Sequence, residues 1–202
     1  LSFDELLLLQ LGLVKQREDR RRGRANGVDL EQANLDAFFA QLPFQLTRSQ
    51  RRALEEVLVD LQQPKPMARL LQGDVGSGKT VIAAAAAQAA IRNGFHVAVV
   101  APTEILAEQH LQNFQKLFSG LPESEQPDVR LLTGTTKKKE RARLMEDLKA
   151  GTIDILVGTH ALFEEWVTFD SLGLVVIDEQ HRFGVKQRSM LPARTGEIQP
   201  HV

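Results

Sequence analysis

Two short stretches of the chain combine residue types that handle phosphates and metal ions. The first, GDVGSGKT, fits the pattern G-x-x-x-x-G-K-[ST]. Its glycines allow successive backbone N–H groups to converge on phosphate oxygens, and the start of a following helix adds positive charge. Lys79 is expected to reach the β and γ phosphates of a nucleotide, and Thr80 to bind Mg²⁺. A chance glycine-rich turn is the alternative. The predicted phosphate-binding set is Gly73, Asp74, Val75, Gly76, Ser77, Gly78, Lys79 and Thr80.

The second stretch is the acidic pair Asp178-Glu179, which ends an apolar run over residues 172–177. A Mg²⁺ ion held by Thr80 and phosphates needs further oxygen ligands, and Asp178 can supply one directly or through water. Glu179 is then predicted to orient and deprotonate the water that attacks the γ phosphate. The alternative is an ordinary strand end that turns polar at the surface, which the glycine loop upstream makes less favoured.

The elements that must position these stretches alternate along the chain. Near-continuously apolar strands separated by helices predict an α/β fold, with a parallel sheet flanked by helices on both faces. Ligands of such sheets bind beyond the carboxyl ends of the strands, where both stretches lie. A further helix is predicted over residues 2–22, with acidic residues at its start and basic residues at its end. The predicted strands are 68–72, 95–101, 129–132, 153–157 and 172–177, and the other helices are 47–61, 80–93, 104–118 and 137–150.

Composition limits the classes of protein that the chain can represent. Its 202 residues include 25 basic and 26 acidic side chains, a net charge of -1, which excludes a protein that coats nucleic acid through general basicity. The absence of cysteine excludes a disulfide scaffold and a thiolate metal site. No apolar run reaches the roughly 18 residues of a membrane span, and we find no targeting segment. We therefore expect a cytoplasmic protein.

The sequence DEQH at residues 178–181, together with GDVGSGKT and APTEILAEQH, resembles the first RecA-like motor domain of superfamily 2 helicases. This resemblance implies a RecA-like P-loop NTPase domain over residues 42–202, C-terminally incomplete, after an N-terminal helical linker segment over residues 1–41. It implies ATP and Mg²⁺ as cofactors. It also implies that His181 couples the nucleotide state to a second motor domain, and that Gln50 and Phe44 contact the adenine.

The resemblance also places DNA contacts at three turns that follow predicted strands. Backbone N–H groups and hydroxyls at such turns can hold phosphates without reading sequence, and helix capping is the alternative for Thr103. The basic clusters at 20–24 and 137–143 are interpreted as solvated helix faces rather than DNA contacts. The predicted DNA-contacting residues are Pro102, Thr103, Thr133, Gly134, Thr159 and His160.

The resulting expectation is the ATP-binding motor lobe of a DNA helicase or translocase that remodels forks and Holliday junctions in recombination and repair. An RNA helicase lobe and a nucleotide-binding interaction module without motor function remain as alternatives. The resemblance further implies a bacterial, nucleoid-associated monomer whose partners are branched DNA and two domains of the same chain, a second RecA-like domain and a wedge domain. Because an arginine from the second lobe stabilises the transition state, the 202 residues alone are expected to be nearly inactive.

Overall fold

A computed structural model of the chain describes residues 23–33, 35–179 and 198–202, together with Leu7, Gln10 and Gly12. The rest of the helix predicted over residues 2–22 lies outside these described residues. None of the helices in the described part of the chain is long and apolar enough to cross a membrane.

Within the described residues, the strands form one parallel sheet. The strands are β1 (His96–Val100), β2 (Val129–Leu132), β3 (Ile155–Gly158) and β4 (Leu172–Ile177), in the order β2-β3-β1-β4. In the register of this sheet, Val97 pairs with Ile155 on one side and with Leu174 on the other. All the carboxyl ends therefore meet at one edge, as the sequence predicts.

Apolar side chains cover both faces of the sheet, which explains why its strands are almost continuously apolar. Val97 and Val99 pack into one core cluster, whereas Ala98 and Val100 pack into another on the opposite face. The predicted fold class, a RecA-like α/β domain with helices on both faces, is confirmed.

Helix bounds follow local signals closely. The hydroxyl of Thr47 accepts from the Gln50 backbone N–H at 3.2 Å, while the Gln50 side chain accepts from the Thr47 N–H at 2.8 Å, a reciprocal capping box. Thr103 caps the helix Glu104–Phe118 through one bond only: its hydroxyl accepts from the Leu106 backbone N–H. The helices are α1 (Leu30–Ala33), α2 (Leu35–Ala40), α3 (Arg48–Leu61), α4 (Lys79–Arg92), α5 (Glu104–Phe118) and α6 (Lys138–Lys149), with 3₁₀ turns at Glu123–Glu125 and His160–Phe163.

The strand predicted over residues 68–72 is wrong, because this segment has no continuous partner among the described residues. Among the described residues, His201-Val202 lies between it and β4: the Val202 N–H donates to the Met67 carbonyl, the Arg69 N–H donates to the Val202 carbonyl, and the Val175 N–H donates to the His201 carbonyl. A cleft of about 770 Å³ lies between residues 70–73 and β4. Among the described residues, the segment therefore has no ladder of backbone hydrogen bonds along its length, and a strand requires one.

Residues before the predicted domain start at 42 also contribute to the core. Val28, Ala33 and Phe38 are buried in the same cluster as α3 and α4. The side chain of Asn93, which caps the end of α4, accepts from the Asp29 N–H at 2.8 Å and donates to the Asp29 carbonyl at 3.0 Å. The division of the chain into 1–41 and 42–202 stays a prediction.

Candidate nucleotide site at the sheet edge

The loop GDVGSGKT is held by its own lysine. The Lys79 ammonium donates to the carbonyls of Gly73 and Asp74 at 2.8 and 2.9 Å, so it closes the loop from inside. Gly76 and Gly78 have φ angles of +80° and +83°, in the left-handed region that side chains disfavour. Because α4 begins at Lys79, the positive end of this helix directly adjoins the loop.

Gln50 connects this loop to the start of α3. Its Nε2 donates to the Ser77 carbonyl at 2.8 Å, while its Oε1 accepts the capping bond from Thr47. A Cβ at Gly78 would lie 2.2 Å from that Nε2, so the close approach of Gln50 requires glycine there. Phe44, which like Gln50 is predicted to contact adenine, is 46% exposed and does not line the cleft between the loop and β4.

The acidic pair follows β4 at the same sheet edge. The Asp178 N–H donates to the Val100 carbonyl at 2.9 Å, which continues the pairing of β4 with β1. Glu179 is exposed and has a φ angle of +49°, a conformation that costs a residue other than glycine about 1–3 kcal/mol and concentrates at functional sites. The sequence carries no local signal for this backbone strain.

Asp178 is also bound by a residue that sequence reasoning missed. The Nε2 of His110, on α5, lies 2.8 Å from Oδ2 of Asp178. The hydrogen bond from His110 lowers the pKa of Asp178, and the His110 charge, the Glu179 backbone N–H and the charge of Lys79 add to this effect against the opposing effect of burial. Asp178 is therefore held as a carboxylate.

The loop and the acidic pair face one cleft, as the sequence requires if both are to act on one nucleotide. Its lining includes the loop residues Gly73 and Lys79, the helix residue Thr80 and both acidic residues. A hydroxyl and an ionised carboxylate are the hard oxygen donors that Mg²⁺ prefers, so Thr80 and Asp178 fit that ion. With Lys79 and Glu179, His181 completes the predicted catalytic set through its coupling of the nucleotide state to a second motor domain, and it lies outside the described residues.

The three turns predicted to contact DNA follow β1, β2 and β3, and they differ in what they expose. Thr103 is exposed, and its hydroxyl caps α5. Thr133 and Thr159 are only 4% and 2% exposed, so their side chains face the interior, and the neighbouring Gly134 and His160 provide the exposed atoms. Pro102 is half-buried.

A polar network that the sequence does not reveal joins two of these turns. The Glu104 carboxylate, at the start of α5, accepts from the backbone N–H and the hydroxyl of Thr135, at 3.2 and 3.0 Å. From the other side, the Arg141 guanidinium donates to the carbonyls of Gly134 and Thr136 at 2.7 and 2.9 Å. The turn after β2 is thus fixed from both sides.

Comparison with known proteins agrees with this geometry. The family model of the DEAD/DEAH box helicases matches residues 47–198. The chain is 48% identical over 203 aligned positions to the ATP-dependent DNA helicase RecG of Synechocystis, covering 100% of this chain and 24% of the relative. It is 49% identical to the RecG of Bacillus subtilis over 94% of this chain and 27% of the relative. The structure of RecG bound to a three-way DNA junction superimposes with a TM-score of 0.82 at 40% identity, over 99% of this chain and 26% of that one.

A parallel α/β sheet with a phosphate-binding loop and an acidic pair at one edge defines a P-loop ATPase domain. The chain belongs to the DEAD/DEAH box helicase family. The resemblance to superfamily 2 helicases is thereby confirmed, and the RNA helicase alternative is not favoured by relatives named as DNA helicases. The chain spans about a quarter of the length of the curated relatives it matches.

Proposed function

We propose that the chain is the ATP-binding lobe of a DNA helicase or translocase that remodels branched DNA in recombination and repair. The observation that carries the proposal is the shared cleft, which places Lys79, Thr80, Asp178 and Glu179 around one space at the carboxyl edge of the sheet. The relatives named as RecG supply the substrate class, including the three-way junction named for one of them.

Binding of ATP begins at the loop. The backbone N–H groups of residues 73–80 and the first turn of α4 take the phosphates, and Lys79 exchanges its carbonyl partners Gly73 and Asp74 for phosphate oxygens. Gln50 retains one N–H and one oxygen lone pair beyond its two bonds within the protein. A donor and an acceptor side by side suit the edge of adenine, which has its own acceptor and donor there.

Hydrolysis falls to the acidic pair. Thr80 and Asp178 would hold Mg²⁺, and the ion would supply positive charge that offsets the charge of the phosphates. Glu179 orients the attacking water and accepts its proton. Because the backbone of Glu179 is left-handed, the chain leaves the strand direction at this residue, and the two adjacent carboxylates can take different roles.

Contact with DNA uses the turns at the ends of β1, β2 and β3. The exposed groups at Thr103, Gly134 and His160 lie on one sheet edge and provide a track for the phosphate backbone, which carries little sequence information. Such a track suits a motor that must move along any sequence. A second RecA-like domain and a wedge domain of the same protein are proposed partners, and we propose action as a monomer in the bacterial cytoplasm, at the nucleoid.

The test uses the full-length protein and separates binding from hydrolysis. Lys79→Ala is expected to weaken ATP binding roughly 10- to 100-fold, because charge-assisted hydrogen bonds to the phosphates are lost. Glu179→Gln is expected to retain ATP binding and to lower DNA-stimulated hydrolysis by about 10² to 10⁴. Lys149→Ala, an exposed lysine at the end of α6, is the matched control and should behave as the unmodified protein.

Three results would contradict parts of the proposal. Normal DNA-stimulated ATP hydrolysis by the Glu179→Gln protein would remove the catalytic assignment. If duplex RNA but not duplex DNA stimulated ATP hydrolysis by the unmodified protein, the substrate would be RNA. If neither gave any ATP hydrolysis, the chain would be a nucleotide-binding module without motor function.

A further inference from the structure

His110 occupies an unusual position for a helical histidine. It lies 68 residues from Asp178 in sequence, yet its Nε2 is 2.8 Å from Oδ2 of that residue. The two side chains are only 17% and 31% exposed, so the contact is shielded from solvent. Both residues line the cleft that contains Lys79 and Thr80.

The ring of His110 bonds Asp178 through Nε2, and its other nitrogen, Nδ1, is left without a hydrogen bond to the described residues. Nδ1 is buried. A buried polar atom without a partner costs about 1–3 kcal/mol, and an unsatisfied atom in a folded protein calls for a reason. A histidine that served only to fill the core could be replaced by an apolar side chain without this cost, so the bond to Asp178 is the reason that the structure offers.

The bond leaves part of the Asp178 carboxylate open. Oδ2 accepts from His110, and the Glu179 backbone N–H adds a second donor. A carboxylate has about four lone-pair positions, so acceptor capacity remains for a metal ion or its water. Outer hydrogen bonds of this kind fix the orientation of a metal-binding side chain, and their loss typically lowers metal affinity about 10- to 100-fold.

We propose that His110 is a positioning residue that holds the carboxylate of Asp178 in the orientation that receives Mg²⁺ with the nucleotide. The inference rests on the proposed function, since it assumes that the cleft binds a nucleotide with Mg²⁺. In this role His110 acts through Asp178 and not directly on the nucleotide. Its effect should therefore appear in the Mg²⁺ requirement rather than in binding of the nucleotide alone.

The experiment compares three variants of the full-length protein by fluorescence titration of a labelled ADP, first in EDTA and then at increasing Mg²⁺. His110→Leu fills the space but has no donor. His110→Gln places an amide nitrogen close to the position of Nε2, whereas the amide of His110→Asn is too short to reach Asp178. Binding of Mn²⁺ to the protein–ADP complex, followed by electron paramagnetic resonance, provides a second measurement that does not depend on catalysis.

The expected result is a split between the two affinities. In EDTA, all three variants bind ADP as the unmodified protein does. The half-saturating Mg²⁺ concentration rises about 10- to 100-fold in His110→Leu and His110→Asn and returns close to the original value in His110→Gln. Because the two defective variants differ in polarity, a folding defect in one of them does not remove the test.

Failure of this inference can be told apart from failure of the proposed function. An unchanged Mg²⁺ requirement in His110→Leu and His110→Asn, alongside a raised requirement in Asp178→Asn, would overturn the role of His110 and leave the nucleotide site intact. The inference would also be overturned if the His110 variants lost as much ADP affinity in EDTA as in Mg²⁺, because the histidine would then act on the cleft as a whole. Absence of Mg²⁺-dependent binding in the unmodified protein would instead overturn the proposed function and, with it, this inference.

Discussion

Substituting alanine for Gly78 tests the contact between Gln50 and the phosphate-binding loop. Gly78 has a φ angle of +83°, a conformation that costs alanine about 1–2 kcal/mol. The added Cβ would also lie 2.2 Å from Nε2 of Gln50. The amide must then move away and lose its bond to the Ser77 carbonyl, a loss of about 0.5–1.5 kcal/mol. We expect Gly78→Ala to lower the free energy of unfolding by about 1.5–3.5 kcal/mol, the sum of both effects.

Gly76 provides the matched control within the same loop. Its φ angle of +80° is nearly the same, but a Cβ there would meet no atom within 4 Å. Gly76→Ala should therefore lower the free energy of unfolding by only about 1–2 kcal/mol. In a protein that already carries Gln50→Ala, the cost of Gly78→Ala should fall to that of Gly76→Ala, which corresponds to a coupling of about 1 kcal/mol.

The measurement is urea unfolding without nucleotide, followed by far-UV circular dichroism, for the unmodified chain and all single and double variants. Thermal melting gives a second readout, because 1 kcal/mol shifts the midpoint of a domain of this size by about 2–4 °C. The contact between Gln50 and the loop would be refuted if Gly76→Ala and Gly78→Ala lowered the free energy of unfolding equally, and if Gln50→Ala changed neither effect.

Two further predictions concern stability outside the cleft. The Nδ1 of buried His201 accepts from the Met67 N–H, and its Nε2 faces the Asn26 carbonyl. Burial lowers the pKa of His201, so the unfolded chain binds the extra proton at a higher pH than the folded chain does. The free energy of unfolding should therefore fall as the pH drops below about 6.5. When the pH is lowered from about 7.5 to about 5.5, the free energy of unfolding, measured in urea, should fall by up to about 1.4 kcal/mol less in His201→Asn than in the unmodified chain. An identical fall in both would contradict the role of His201. Arg141→Lys should lower the free energy of unfolding by about 1–3 kcal/mol, because lysine lacks the planar guanidinium whose Nε and Nη2 donate to the two carbonyls, and should speed amide exchange in residues 133–137. The exposed Arg143→Lys is its control, and equal effects of the two substitutions would show that Arg141 does not hold the turn.

The sequence by itself determined those features whose causes are local. Thr103 is the N-cap of a helix that spans the predicted residues 104–118, whereas the helix predicted to begin at Thr47 begins one residue later, with Thr47 as its N-cap. Apolar runs long enough for a strand gave β2 and β4 their bounds. The spacing within GDVGSGKT identified the loop, because the glycines and the lysine that shape it all lie within eight residues.

Only the tertiary structure decided which distant residues meet. Tertiary packing brings Asp178 beside His110 and Gln50 beside Ser77, and residues 68–72 are not a strand in this structure although their composition suits one. It also buries Thr133 and Thr159, two of the six residues predicted to contact DNA. Such outcomes depend on strand order, register and packing between elements far apart in the chain, whereas caps, turns and periodicity depend on neighbours within a few residues.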